Sequence, residues 1–229
     1  NKAQWGRDSL PGVKAAEYRL SSRTADRPVY TFCMCPGGMV VPATAYAEQN
    51  IVNGMSYYRR NGKFANAACV AGVHPDELAG KETGPIEALE WLTELEQKFY
   101  AFSKSYKAPA CSVKSFIAKS EQGAMPRSSY APGLEQAPLW EMLPEAAANA
   151  IRIGLEEFNR KLRGFETGML IGLESKTSAP IQVLRDKRGL CDGFENLYMI
   201  GEGSGWAGGI ISSGVDGLRA AMSIIEAHE

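Results

Sequence analysis

The most constraining feature of this chain is the passage from an apolar run, Leu197-Tyr198-Met199-Ile200, into Gly201-Glu202-Gly203-Ser204-Gly205-Trp206-Ala207-Gly208-Gly209-Ile210. A short uninterrupted apolar run reads as a buried parallel strand. Beyond the glycines, Ile211, Val215, Leu218, Met222 and Ile225 share one face of a closing helix. The order is strand, glycine turn, helix, and Gly203-x-Gly205-x-x-Gly208 satisfies the G-x-G-x-x-G pattern. Glycines in that pattern let backbone approach an anionic ligand while free helix N–H groups point at it. A dinucleotide-binding fold, however, needs a further strand carrying an acidic residue about 20 residues on, and here only one helix follows. The pattern therefore does not open such a fold. The residues leave two readings: a helix N-terminus held against a cofactor, or glycines that permit tight strand–helix packing.

Composition narrows the class. The chain has 229 residues, enough for one large domain or two small ones. With 45% hydrophobic and 22% charged residues it can bury a sizeable core. A formal net charge of −1 lacks the basic excess of a nucleic-acid binder. No apolar stretch approaches the roughly 18 residues of a membrane span, and no signal-peptide pattern opens the sequence. A cytoplasmic protein is expected. The histidines, His74 and His228, are too few for a histidine-rich metal site or a Ser-His-Asp triad. The first residue is Asn1 and not Met, so the chain is expected to be cut or processed from something longer.

Along the chain, residues 1 to 28 are mixed and polar. Val29-Tyr30-Thr31-Phe32-Cys33, Met39-Val40-Val41, Ile51-Val52-Asn53 and Ala67 to Val73 carry strand signals, with turns at Gly37-Gly38, Asn53-Gly54 and Asn61-Gly62. This predicts a small antiparallel β unit. Residues 85 to 104 switch to helical period through Ile86, Leu89, Leu92, Leu95, Phe99 and Phe102, with Pro85 at the first position. Residues 105 to 142 read as a long ordered loop or a pair of short strands. A second helix is predicted from about Pro144 to Leu162, its stripe being Ala147, Ile151, Leu155, Phe158 and Leu162. Both stripes read as core, with Glu87, Glu90, Glu94, Glu156 and Glu157 as solvated face. Met169 to Leu173 and Ile181 to Leu184 follow as strands.

Five cysteines, Cys33, Cys35, Cys69, Cys111 and Cys191, are scattered too widely for a secreted disulfide framework. In a strand, Cys33 and Cys35 would point to the same side and could meet one ligand or redox partner. No further Cys or His stands at metal-site spacing, so no metal is expected. The plainer reading is two small residues ending a strand before a Pro-Gly-Gly turn.

Three segments taken together resemble a known family. They are Tyr30-Thr31-Phe32-Cys33-Met34-Cys35-Pro36-Gly37-Gly38 with Val52-Asn53-Gly54-Met55-Ser56-Tyr57, then Gly172-Leu173-Glu174-Ser175-Lys176-Thr177-Ser178-Ala179-Pro180, then Gly201 to Ile210. Their order and spacing resemble the C-terminal half of bacterial FAD-dependent dehydrogenases, also called NAD(FAD)-utilising dehydrogenases. The resemblance implies an α+β chain: a mixed sheet or small β unit, two or three long helices, and a final strand–glycine turn–helix belonging to an FAD-binding Rossmann-like domain. Residues 1–165 would be an inserted substrate-side domain, β-rich over 1–80 and helical over 81–165. Residues 166–229 would return to the FAD-binding domain. The N-terminal FAD-binding half is absent from these residues, so the chain alone is expected to hold FAD weakly and not to catalyse.

By the same resemblance, Glu202 would accept a hydrogen bond from a ribityl hydroxyl. Gly201, Gly208, Gly209 and Ile210 would line the flavin, with the N–H groups of Gly209 and Ile210 facing its pyrimidine carbonyl. Candidates for substrate chemistry are Lys176 as an anion anchor, Tyr57 as acid or hydrogen-bond donor, and Cys33 and Cys35 lining the flavin-facing side. Each has a plainer alternative as exposed lysine, core aromatic or strand residue. Expected partners are a small-molecule substrate, the missing FAD-binding half and, as a candidate electron donor, NAD(P)H. The competing class is a non-catalytic nucleotide-binding, anion-binding or regulatory domain built on the glycine-rich helix end.

Overall fold

The computed structural model describes residues 6–7, 10–12, 19–80 and 82–228; the side chains of residues 78, 79 and 228 and much of the polar stretch 1–28 lie outside that description. The chain forms two units, one of residues 1–81 and 92–175, the other of residues 82–91 and 176–229.

In the first unit the leading element is a 14-residue strand, β2 (Val29–Pro42), beside the two-residue β1 (Ser21–Ser22). Antiparallel to β2 lie β3 (Val52–Ser56) and β4 (Phe64–Ala71). The expected antiparallel β unit is therefore present, but two of its turns are not. Gly37-Gly38 and Asn53-Gly54 lie inside strands. These glycines serve close approach: a Cβ on Gly38 would sit 1.9 Å from the Met55 carbonyl oxygen, and one on Gly37 2.5 Å from that of Arg60. Asn61-Gly62 does fall in the β3–β4 connection. Register shifts flank Cys35, and Cys33 adopts φ 48, so β2 is bulged there.

The remaining elements of this unit are helical with a small second sheet. A short α1 (Pro75–Ala79) is capped by His74, whose Nδ1 accepts the Asp76 N–H. Helix α2 (Pro85–Ser103) matches the predicted helix and runs through both units. Strand β5 (Ala108–Ser112) then pairs in parallel with β6 (Leu134–Gln136) and antiparallel with β7 (Met169–Ile171). Helices α3 (Val113–Ala118) and α4 (Leu139–Met142) adjoin these strands. Helix α5 (Glu145–Lys161) buries Ala147, Ile151, Leu155 and Phe158 as its periodicity requires, and adds Gly154, where a Cβ would meet Val29 at 2.6 Å. Phe99, Phe116 and Phe158 are fully enclosed in one core with Val29, Val113 and Leu155. Full burial of each such side chain contributes about 1.5–3 kcal/mol.

The α2 stripe is only half core. Leu92 and Phe99 are buried, whereas Ile86, Leu89 and Phe102 are exposed. Glu96 is instead buried, accepting the Ser175 hydroxyl at 2.6 Å.

The second unit closes with helix α6 (Ile210–His228). The strands expected at Ile181 to Leu184 and at Leu197 to Ile200 are not formed; only bridges Arg185–Cys191 and Leu190–Tyr198 occur, both antiparallel. The second run is also not buried: Leu197, Met199 and Ile200 are 39–43% exposed. Residues 189–191 lie antiparallel beside 197–199, with Cys191 N–H donating to Leu197 O at 2.8 Å and Met199 N–H to Gly189 O at 3.2 Å, but the pairing stops at that single bridge and does not extend into a ladder. Among those residues no helix is long and apolar enough to cross a membrane.

Candidate functional site

The glycine segment of the second unit is held from several sides. Gly201 (φ 75) leads into a single 3-10 turn, Glu202–Ser204, and Gly205 (φ 79) ends it. Only glycine fits at 205, since a Cβ would lie 2.0 Å from the Ile181 carbonyl oxygen. The Ser204 hydroxyl donates to Gly201 O at 2.7 Å, and Val183 N–H donates to Ser204 O at 2.9 Å. Trp206 Nε1 donates to Val183 O at 2.9 Å. Beneath the turn, Asp216 of α6 accepts the Gly201 N–H at 2.8 Å and pairs with Arg185 Nη2 at 2.9 Å. The Arg185 guanidinium and the Gly201 N–H hold the Asp216 carboxyl below its usual range, against the opposing effect of burial.

Within this unit two of the three characteristic segments meet. Ser178 Cβ lies 3.5 Å, and the Thr177 carbonyl oxygen 3.8 Å, from where a Cβ on Gly208 would sit. Lys176, in the same stretch, is exposed. The Gly209 N–H donates to Ser212 Oγ at 3.1 Å, and Ser213 N–H closes the first helical bond to Gly209 O. Glu202 and Gly203 are exposed, as are Trp206 (48%), Ile210 (90%) and Ile211 (79%).

Cys33, Cys35 and Tyr57 stand on the first unit. The bulge separates the thiols that simple alternation placed on one side: Cys33 is exposed, while Cys35 is buried with its Sγ 3.5 Å from Cys33 O. Burial pushes the Cys35 thiol up, partly offset by the charge of Arg60. Tyr57 is half exposed with its hydroxyl 3.1 Å from Met39 Sδ. Sequence reading missed Arg185, Asp216 and Glu96. The i, i+4 spacings of α6 place Asp216 in line with Ser212, but nothing in the sequence pairs it with Arg185. A depression lined by Cys111, Ser112, Ser115, Gln122 and Trp140 is too tight to admit water.

A family model described as FAD-dependent protein, C-terminal domain-like, matches residues 1–177. The chain belongs to this FAD-dependent protein C-terminal domain-like family. The match ends within a few residues of the boundary between Ser175 and Lys176, where the second unit resumes. An uncharacterized protein of Clostridium beijerinckii is 37% identical over 234 residues, an overlap of 99% of this chain and 44% of the relative. The chain thus spans less than half the length of that relative.

Membership of an FAD-dependent family poses a test for the glycine segment. Gly203 has open space where a Cβ would stand, whereas Gly208 packs beside Ser178 and the Gly209 N–H is capped by Ser212 Oγ. Around it lie an exposed carboxylate, Glu202, the N-terminal end of a helix, and the exposed apolar groups of Trp206, Ile210 and Ile211. An exposed acceptor, the positive end of a helix dipole and apolar surface together suit a flat ring with carbonyls and a hydroxylated chain. The residues present fit a flavin.

Proposed function

We propose that this chain is the C-terminal portion of an FAD-dependent oxidoreductase of the dehydrogenase type, acting in the cytoplasm. The carrying observation is the open glycine turn at the head of α6, in a chain whose family is FAD-dependent. FAD, when bound, supplies the electron-pair acceptor. The chain's own residues bind and orient. Glu202 would accept a hydrogen bond from a ribityl hydroxyl, Gly201 and Gly208 would permit close approach, and Gly209 with Ile210 would set the helix end toward the pyrimidine carbonyl side of the flavin.

Lys176 supplies positive charge for an anionic group of a small substrate. Tyr57 is a hydrogen-bond donor, and Cys33 and Cys35 belong to the substrate-side unit, residues 1–165 in this reading. The FAD-binding half lies elsewhere in a longer polypeptide, consistent with a relative more than twice as long. The exposed apolar face of α6 (Ile211, Leu218, Met222 and Ile225) and the run 197–200 are the surfaces it would cover. NAD(P)H is the proposed electron donor, and its addition should bleach the flavin absorbance anaerobically.

The deciding experiment is Glu202→Ala in the full-length polypeptide, with flavin counted per polypeptide after gel filtration. Occupancy should fall. Unchanged occupancy would sink the assignment and favour an anion-binding or regulatory domain.

A further inference from the structure

The ion pair under the glycine turn does more than join two segments. Asp216 divides its carboxylate: Oδ1 takes Arg185 Nη2 at 2.9 Å, and Oδ2 takes the Gly201 N–H at 2.8 Å. Arg185 in turn donates from Nη1 to Met199 O at 2.9 Å and lies 5.0 Å from the Trp206 ring centroid. Its side chain is only 6% exposed, and its Nε is buried without an acceptor. One pair, its arginine side chain buried and its aspartate half-buried, therefore grips the chain just before the turn, at the turn, and just after it, and ties all three to α6. Where one partner of an ion pair is buried, desolvation offsets much of the attraction, so the pair adds little stability while its charge-assisted hydrogen bonds specify one geometry.

We infer that Arg185 and Asp216 are positioning residues for the flavin. They fix the Gly201 turn against α6, so that Glu202 and the head of the helix present a single preset surface. Neither residue would touch the cofactor; both act through Gly201 and Trp206. The inference rests on the FAD reading above.

The test uses the full-length holoprotein and three variants, Glu202→Ala, Asp216→Asn and Arg185→Lys. Readouts are the FAD dissociation constant by flavin fluorescence, the visible flavin spectrum and the flavin reduction potential. Asp216→Asn keeps the size but removes the charge, and should weaken FAD binding about tenfold, the scale of one charge-assisted contact. Its flavin band and potential should shift as well, which a merely structural role would not produce. Arg185→Lys keeps the charge but loses the fork, so a smaller change of the same sign is expected. If Glu202→Ala weakens FAD while both clamp variants keep wild-type binding, spectrum and potential, the positioning role is overturned and the FAD reading stands. If Glu202→Ala leaves FAD untouched, the reading fails and the inference falls with it. Should Asp216→Asn not fold, Arg185→Lys decides between the same outcomes.

Discussion

At the scale of single residues, the cysteines show how environment divides one chemistry. Cys33 is exposed, whereas burial drives the thiols of Cys69 and Cys111 up to about 12. Thiolate is the reactive form, so both are disfavoured as nucleophiles in the folded state, Cys111 in a buried position and Cys69 in a half-buried one. In the native protein a disulfide reagent should modify Cys33 first, half-buried Cys69 more slowly, and buried Cys111 only on denaturation. Mass mapping of a time course checks this, and early labelling of Cys111 would contradict the burial argument. Glycine roles at this scale were only partly legible. Gly37, Gly38 and Gly54 are indistinguishable in sequence from turn glycines, since close approach depends on a neighbouring strand that the local sequence does not specify. Gly38→Ala should destabilise by about 3 kcal/mol or more, because the new methyl has backbone and not a yielding side chain to displace.

At the scale of elements, the two long helices were the most legible part of the fold, because their period is local. In α5 nearly the whole expected stripe is core, and Phe158 also meets Phe165 edge-on at 5.7 Å. Phe158→Ala should cost about 3–5 kcal/mol in urea unfolding. A loss near 1 kcal/mol would mean that the cavity collapses readily. Helix α2 behaves differently: its period is equally clear, yet Ile86 and Leu89 stay exposed and Glu96 is buried. Periodicity identifies a helix, but which face is covered depends on what folds against it. The run 197–200 follows the same rule: a sequence expected as a buried parallel strand forms one antiparallel bridge, Leu190–Tyr198, and stays partly exposed.

At the scale of the whole molecule, charge pairs tie distant parts of each unit together. Glu157 pairs with Lys161 and accepts from the hydroxyls of Ser22 and Thr24, the latter at 2.7 Å, and these contacts, Lys161 foremost, lower its carboxyl from 4.5 to about 2. A depressed folded value means that its contribution is complete above pH 4.5 and is lost as pH falls through about 2. Glu157→Gln should therefore flatten the decline of stability across that window; an unchanged acid limb would assign the decline to other carboxylates. The exposed face of α6 leads to a separate expectation. Leu218→Asp should reduce binding of an apolar dye to the 229-residue polypeptide and weaken its association with the proposed FAD-binding half. By itself the sequence determined what is local or compositional: the three long helices, the β-rich first third, the glycine turn before a closing helix and the family resemblance, but not the short helices Pro75–Ala79, Val113–Ala118 and Leu139–Met142. Only the tertiary structure decided which glycines allow strands to touch, which carboxylate is buried, and that Arg185 meets Asp216 beneath the turn. Those outcomes arise from contacts between residues far apart in the chain, whose partners are selected by packing and not by sequence spacing.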